Sequence, residues 1–535
     1  MVDHINKSCR NDQVHLDDHD SNDVKGPAMK PSSALLGPAY IHFKTKAMFP
    51  VILVVAAQAF FSLYDKVHAQ AMRYFIETMS IPSTMDTYTI FLSLVAATLT
   101  LVACYFVFVP GPTLLLDFAC LKPDDSTKVS KKMYMEKARK TGFFTEKSLD
   151  FMEKVLYLSG LGDETYAPPS TLSEPVDRSF NACHMEAQAT IFGVTDELFA
   201  KGTVKPQEVD ILIVNCSMYS PVPSLAAIVI NHYKMRKDIQ VFNLGGMGCS
   251  AGLIAIDLAD KMLKLKRNAY ALVVSTEVLS AMLGYAGNSR FMMVGNTLFR
   301  NGAAAVLLSN RRADRWRAKY ELQHLVRTHY GADDASFKCV HSTQDDQGHI
   351  GISLSKDLMK VAGHVLKDNI TTLAPKILPW SEKIKFAINF VHIKLNSSQK
   401  PPIKPYVPNL KKAVSHFAFH PGGRALLDSV AENLGLNDWH MEPSRMTLHR
   451  FGNTSSSSVW YVLAYLEAKN RVKHGDRVWQ IALGSGFKCN SAIWRSLRPS
   501  QEGPSTNCWS EFIDKYPMEI VTTLPTHLTK VESAN

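Results

Sequence analysis

The chain has 535 residues, 46% of them apolar, with a formal charge of +10 and a pI near 9.0. That length exceeds a single ordinary domain and supplies a sizeable core. Zinc-finger spacing and a basic zipper are both missing, so the positive balance points to a membrane surface or a polyanionic substrate, with no nucleic acid partner. Nine scattered cysteines without a C-x-x-C pair exclude a disulfide framework and suit reduced thiols in a cytosol-facing domain.

Residues 1–46 read as a polar, disordered cytosolic tail, and the first apolar run starts too late for a signal peptide. Two charge-free runs follow at 47–64 and 88–109, of 18 and 22 residues, each matching the roughly 20 residues that span a bilayer. A buried core helix is the competing reading, weightier for the shorter run. Residues 122–140 carry seven Lys/Arg against three acids, which places both ends of the hairpin in the cytosol. Residues 110–207 read as a linker and entry region.

From 208 onward strand and helix signals alternate. VDILIVN (209–215), YALVVSTE (270–277), VSHFAFH (414–420) and RVWQIAL (477–483) read as buried strands. Helices are expected over 251–265, where Asp257, Asp260, Lys261 and Lys264 share one face, and over 455–469, opened by a serine run. The offsets Val209 to Val414, Cys249 to Asn453 and Ala271 to Arg477 are 205, 204 and 206 residues. Two diverged repeats are therefore expected, 208–355 and 356–498, followed by a tail at 499–535.

In FNLGGMGCSAG a lone thiol, Cys249, directly follows Gly248 at an expected helix start. The partial positive charge there favours a thiolate, and free N–H groups stabilise an oxyanion. Packing is the bland alternative for any cysteine. His420 closes a strand and Asn453 sits at the related helix start of the second repeat, so a pseudo-twofold could gather all three. As bland alternatives, His420 is a satisfied structural histidine and Asn453 a turn or cap residue. His416, four residues before His420 on the same strand face, makes a metal pair conceivable, but no third ligand has fitting spacing. GMGCSA also fits G-x-G-x-x-A, a weak match with no acid ending the next strand at the usual distance. LGSGFKCN (483–490) is either a backbone wall beside the thiol or an ordinary turn. Gly248, Gly484, Gly486 and His416 are taken as substrate-binding candidates.

NLGGMGCSAG, HPGGRA, RFGNTSSSS and GSGFKCNSAIWR together resemble the plant 3-ketoacyl-CoA synthases, membrane-bound condensing enzymes of very-long-chain fatty acid elongation. DFACLKP (117–123), SGLGDETY (159–166) and NTLFRNGAAAVLLSNR (296–311) add to the likeness, which runs from the hairpin to about residue 498. It implies a thiolase-like duplicated five-layer α-β-α-β-α fold, usually dimeric. Cys249 would take the acyl chain from acyl-CoA as a thioester, and His420 and Asn453 would bind the malonyl-CoA carbonyl and stabilise the enolate left by CO2. The resemblance further implies no metal or redox cofactor, a multi-pass endoplasmic reticulum protein with its catalytic domain facing the cytosol, and elongation-complex partners. A Cys-His-Asn hydrolase, or an idle homologue serving such a complex, is the rival reading. Pro421 departs from the family's H-A-G-G-R-A, and it biases His420 toward an extended backbone. The stretch 383–412, with seven lysines and no acid, is either a lipid- or CoA-facing surface or a solvated loop.

Overall fold

Strand after strand in the computed structural model buries both of its faces, and the two faces enter different cores. The structure describes residues 87–281, 285–395, 406–498 and 507–520, with 523–525 and 528. In chain order its strands are β1 (Leu114–Cys120), β2 (Lys128–Val129), β3 (Thr165–Tyr166), β4 (Ile211–Asn215), β5 (Gln240–Leu244), β6 (Tyr270–Thr276) and β7 (Ala303–Ser309). They continue as β8 (Tyr320–His329), β9 (Val340–Gln344), β10 (Ile350–Leu354), β11 (His416–Phe419), β12 (Arg477–Gly484) and β13 (Lys488–Ser496). Nine form one sheet in the order β11-β12-β13-β8-β1-β7-β6-β4-β5, while β2–β3 and β9–β10 are separate ribbons.

Period-two alternation sorts the side chains. Ile211, Ile213, Ala271, Val273, Ala304 and Val306 meet the helices Ala251–Leu265 and Ser458–Ala468 in a central core. Their neighbours Leu212, Val214, Leu272, Val274, Ala305 and Leu307 enter a second core with the helix Phe180–Ala200. In the other half Ala418, Val478, Ala492 and Trp494 face the central core. Phe417, Trp479, Ile481 and Ile493 enter a third core with the helix Leu358–Ile377. Two sheet halves separating three helical layers make the five-layer α-β-α-β-α arrangement.

Four strands of each half correspond, and β5 has no counterpart among the described residues of the second half. In the first, β4 runs parallel to β5 and β6, β7 is antiparallel to β6, and β1 is antiparallel to β7. In the second, β11 and β12 are parallel, and β13 is antiparallel to both β12 and β8. β1 and β8 meet antiparallel through Leu114–Glu321 and Leu115–Tyr320, as two equivalent edges do about a twofold. The pairs β1/β8, β4/β11 and β6/β12 begin 206, 205 and 207 residues apart.

That order moves the expected boundaries. Residues 110–207 are no linker, because β1 belongs to the first half and the helix Phe180–Ala200 covers its outer face. The second half begins at β8 and not at 356, since β8 pairs with β13. Residues 507–520 are no loose tail either: Cys508, Trp509, Phe512 and Tyr516 belong to the central core, and Trp509 Nε1 donates to the Tyr461 carbonyl at 3.0 Å.

The chain also divides into two compact units, Met1–Ala103 and Cys104–Asn535. The tail 1–46 and the first expected span lie outside the described residues. The second expected span coincides with a 22-residue helix, Thr87–Phe108. Its side chains are described only at 92–101 and 104, and all of these are exposed. Among the described residues no helix is long and apolar enough to cross a membrane.

Trp509 is fully buried against Phe451, Tyr465 and Tyr516. Trp509→Ala should cost about 3–5 kcal/mol, the usual result of emptying a large aromatic site, and lower the Tm in a thermal melt. An unchanged Tm would show the C-terminal segment to be dispensable.

Candidate active site

Cys249 is placed by a loop with little freedom. β5 ends at Leu244, Gly246 and Gly248 take φ of +64° and +71°, and the helix begins at Ala251. The Gly248 N–H donates to Ser217 Oγ at 2.9 Å. A Cβ on Gly248 would fall 2.4 Å from Ser485 Oγ, and one on Gly484 would fall 2.5 Å from Ser250 Oγ. The two glycine loops thus interlock backbone to backbone, and side chains there would force them apart. Gly484 is a packing position, while Gly248 and Gly486 also line the cavity into which Cys249 opens. His416 is elsewhere in use: buried, it holds Asp476 at 3.1 Å through Nε2 and packs on Trp439.

His420 follows β11, with its N–H donating to the Ile481 carbonyl at 2.9 Å and its own carbonyl accepting from Gly422 at 2.8 Å. Pro421 forfeits no bond in that turn. Asn453 follows the helix Asp438–Phe451, bridges to Phe299, and accepts the Arg300 N–H at 2.9 Å through its carbonyl. Ser455, at φ +57°, is where the two halves meet. Its N–H donates to Asn453 Oδ1 at 2.9 Å and its hydroxyl to Glu277 Oε2 at 3.0 Å. With Oδ1 engaged, the amide –NH2 is the end of Asn453 left to donate.

A cavity of about 380 Å³ opens beside the thiol, with Glu277, Phe299, Ser455 and Lys488 on its wall. His420 and Asn453, both buried, are off that lining and connect to it through Ser455. Burial first, and then Glu277, push the Cys249 thiol up to about 11, against the pull of Ser455 and Lys488. The resting group is therefore a thiol, contrary to the thiolate expected from the helix start alone. Burial also lowers His420 to about 4, opposed by the Asn453 side chain and the Ser455 backbone. Its ring is neutral at physiological pH, and neither ring nitrogen has a hydrogen-bond partner of good geometry among the described residues. Glu277, itself raised mainly by burial, accepts the Ser217 and Met218 N–H groups at 2.6 and 2.7 Å.

Glu277, Ser455 and Lys488 escaped sequence reasoning as site residues. The signals were an acid directly after a mostly apolar strand (YALVVSTE) and a lysine inside a glycine loop (GSGFK).

Residues 105–395 match the family described as FAE1/Type III polyketide synthase-like protein. Residues 410–496 match the C-terminal part of 3-oxoacyl-[acyl-carrier-protein] synthase III. The chain is 48% identical to 3-ketoacyl-CoA synthase 11 of Arabidopsis thaliana, over 94% of this chain and 97% of that one. The chain belongs to the 3-ketoacyl-CoA synthase family. It is also 51% identical to 3-ketoacyl-CoA synthase 2 of the same plant, over 79% of this chain and 81% of its relative. Among solved structures, CsyB complexed with CoA-SH superposes with a TM-score of 0.55 at 18% identity, covering 72% of this chain and all of that one. A type III pentaketide synthase from Neurospora crassa gives 0.56 at 18% identity, covering 72% of this chain and 99% of that one. At that identity the two structures establish the thiolase-like fold of this synthase and nothing about its substrates.

Alkylation of Cys249 by iodoacetamide should rise with pH and still be climbing at pH 10, because the thiolate fraction grows until the pKa of about 11 is passed. Glu277→Gln should shift that profile to lower pH and Lys488→Gln to higher pH. A plateau near neutrality would contradict the electrostatics described.

Proposed function

We propose that this chain condenses a long- or very-long-chain acyl-CoA with malonyl-CoA, with Cys249 as nucleophile and His420 and Asn453 as hydrogen-bond donors. The observation that carries this reading is Ser455, which ties Asn453 Oδ1 at 2.9 Å to Glu277 at 3.0 Å on the wall of the cavity into which Cys249 opens, with His420 buried nearby. The Cys249 sulfur attacks the acyl-CoA carbonyl, the C–S bond to CoA breaks, and the thiol proton leaves with CoA. Malonyl-CoA then places its thioester oxygen between the His420 ring N–H and the Asn453 amide. A neutral imidazole suits that task, since it donates without needing a counter-charge. Loss of CO2 leaves an enolate held by both donors. Its carbon attacks the acyl thioester, the bond to Cys249 breaks, and 3-oxoacyl-CoA two carbons longer departs. Regenerated thiolate takes up one proton. No electrons are exchanged, so the scheme uses no redox cofactor.

The tail's path is part of the same reading. A second, mostly apolar cavity of about 110 Å³ shares Phe299 with the first and is lined by Tyr134, Met152, Leu172 and Tyr285. At ~30 Å³ per water it equals only a few waters. Long tails therefore need Phe299 to turn or the helices Lys131–Lys140 and Glu146–Leu158 to part.

The two charge-free apolar runs of the sequence, 47–64 and 88–109, support attachment to a membrane, read as the endoplasmic reticulum with the catalytic domain in the cytosol and other elongation subunits nearby. β5 supports a homodimer: it ends the sheet, its Val241 is exposed, and bare edges are normally covered.

The test supplies labelled malonyl-CoA and acyl-CoAs of graded length to detergent-purified protein. Cys249→Ala should abolish 3-oxoacyl-CoA and CO2 formation. His420→Ala and Asn453→Ala should cut decarboxylation by about 10²–10³, the usual loss of an oxyanion donor, while acyl loading persists. Condensation surviving in Cys249→Ala would remove the nucleophile from the scheme. Leu172→Trp should shorten the longest product and spare the shortest substrate. An unchanged product ladder would place the tail elsewhere.

A further inference from the structure

The helix Trp380–Leu395 carries an apolar stripe that nothing among the described residues covers. Trp380, Ile384, Ile388, Val391 and Leu395 are 52 to 79% exposed. At 100° per residue these five and Ala387 fall within one sector of about 100°. Lys383 and Lys394 border the sector on one side, Ser381, Lys385 and His392 on the other.

The opposite face fixes the helix in place. Buried Glu382 accepts from Tyr406 Oη at 2.5 Å and from the Asn409 N–H at 3.1 Å, and it pairs with Lys412 at 2.8 Å. Asn389 Oδ1 accepts the Tyr406 N–H at 2.7 Å. These ties leave the stripe facing outward.

We propose that this helix lies in the plane of an anionic phospholipid bilayer, its stripe among the acyl chains and its lysines on the headgroup phosphates. The charge pattern selects lipid over protein. Lysine is depleted in protein–protein interfaces, whereas lysines flanking an apolar stripe are the mark of helices that lie in a membrane interface. From 383 to 412 the sequence has no acid, and the helix carries Lys383 and Lys394 beside the stripe and Lys385 further round, 3.8 Å from Glu382. The Lys383 ammonium lies 4.8 Å over the Trp380 ring and the Lys394 ammonium 5.2 Å over the Phe390 ring, so both charges sit on aromatic faces at the border of the stripe. The contact is distinct from the N-terminal apolar runs, and it would hold the catalytic unit against the surface into which a long-chain acyl-CoA partitions.

The full chain carrying Ile388→Cys, with Cys9→Ser and Cys104→Ser, is labelled with an environment-sensitive fluorophore. It is reconstituted in vesicles of phosphatidylcholine alone or with three-tenths phosphatidylserine. The same background without Ile388→Cys corrects for Cys249, and Asn433→Cys serves as the water-facing control. The emission at 388 should shift to the blue and be quenched by a lipid bearing a nitroxide high on its acyl chain, more so with phosphatidylserine. The Asn433→Cys label should show neither effect. Lys383→Gln with Lys385→Gln and Lys394→Gln should erase the phosphatidylserine dependence while condensing activity in detergent is kept. Water-like emission at 388 in both vesicle types would overturn the proposal. So would a blue shift that follows protein concentration and ignores lipid, the signature of self-association.

Discussion

The site depends on one close approach. Where the helix Ala251–Leu265 begins, Gly252 faces the backbone of Ser456 so closely that a Cβ would stand 2.3 Å from its carbonyl oxygen. Glycine there lets the opening turns of the two repeat-related helices touch across the pseudo-twofold, with Cys249 just before one and Asn453 just before the other. Gly302 does the same beside Thr454, at 2.6 Å, and Gly248 beside Ser485. Each contact joins one half of the chain to the other. The five layers, the buried helix Ser458–Ala468 and the antiparallel junction of β1 and β8 hold the halves at the distance these glycines permit.

The electrostatic consequence is a resting pair of neutral groups, thiol and imidazole, in place of a standing ion pair. Burial opposes charge on both residues, and the negative field of Glu277 adds to it at Cys249. Lys488, buried and with its own pKa lowered by that burial, is the positive group that tempers Glu277 at the thiol.

Much of this was legible in the residues. The strands at 211–215, 270–276, 416–419 and 477–484 and the helix Ala251–Leu265 follow from apolar runs and period, and the spacing near 205 residues foretold the duplication. The boundaries were not legible. β1 and β8 are equivalent edge partners whose likeness lies in pairing and not in residue pattern, so 110–207 resembled a linker and β8 fell in the wrong half. His416 shows the limit of face arguments: it shares a strand face with His420, yet its ring is engaged by Asp476. Glu277 and Ser455 act through a bond between positions 178 residues apart, which no local pattern announces.

Incubating the protein with a long-chain acyl-CoA alone, then digesting it and weighing the peptides, tests the central claim most directly. The peptide holding Cys249 should gain one acyl group, labile to hydroxylamine, and malonyl-CoA should discharge it as 3-oxoacyl-CoA. An acyl group on any other residue, or product formed while Cys249 stays unmodified throughout, would contradict it.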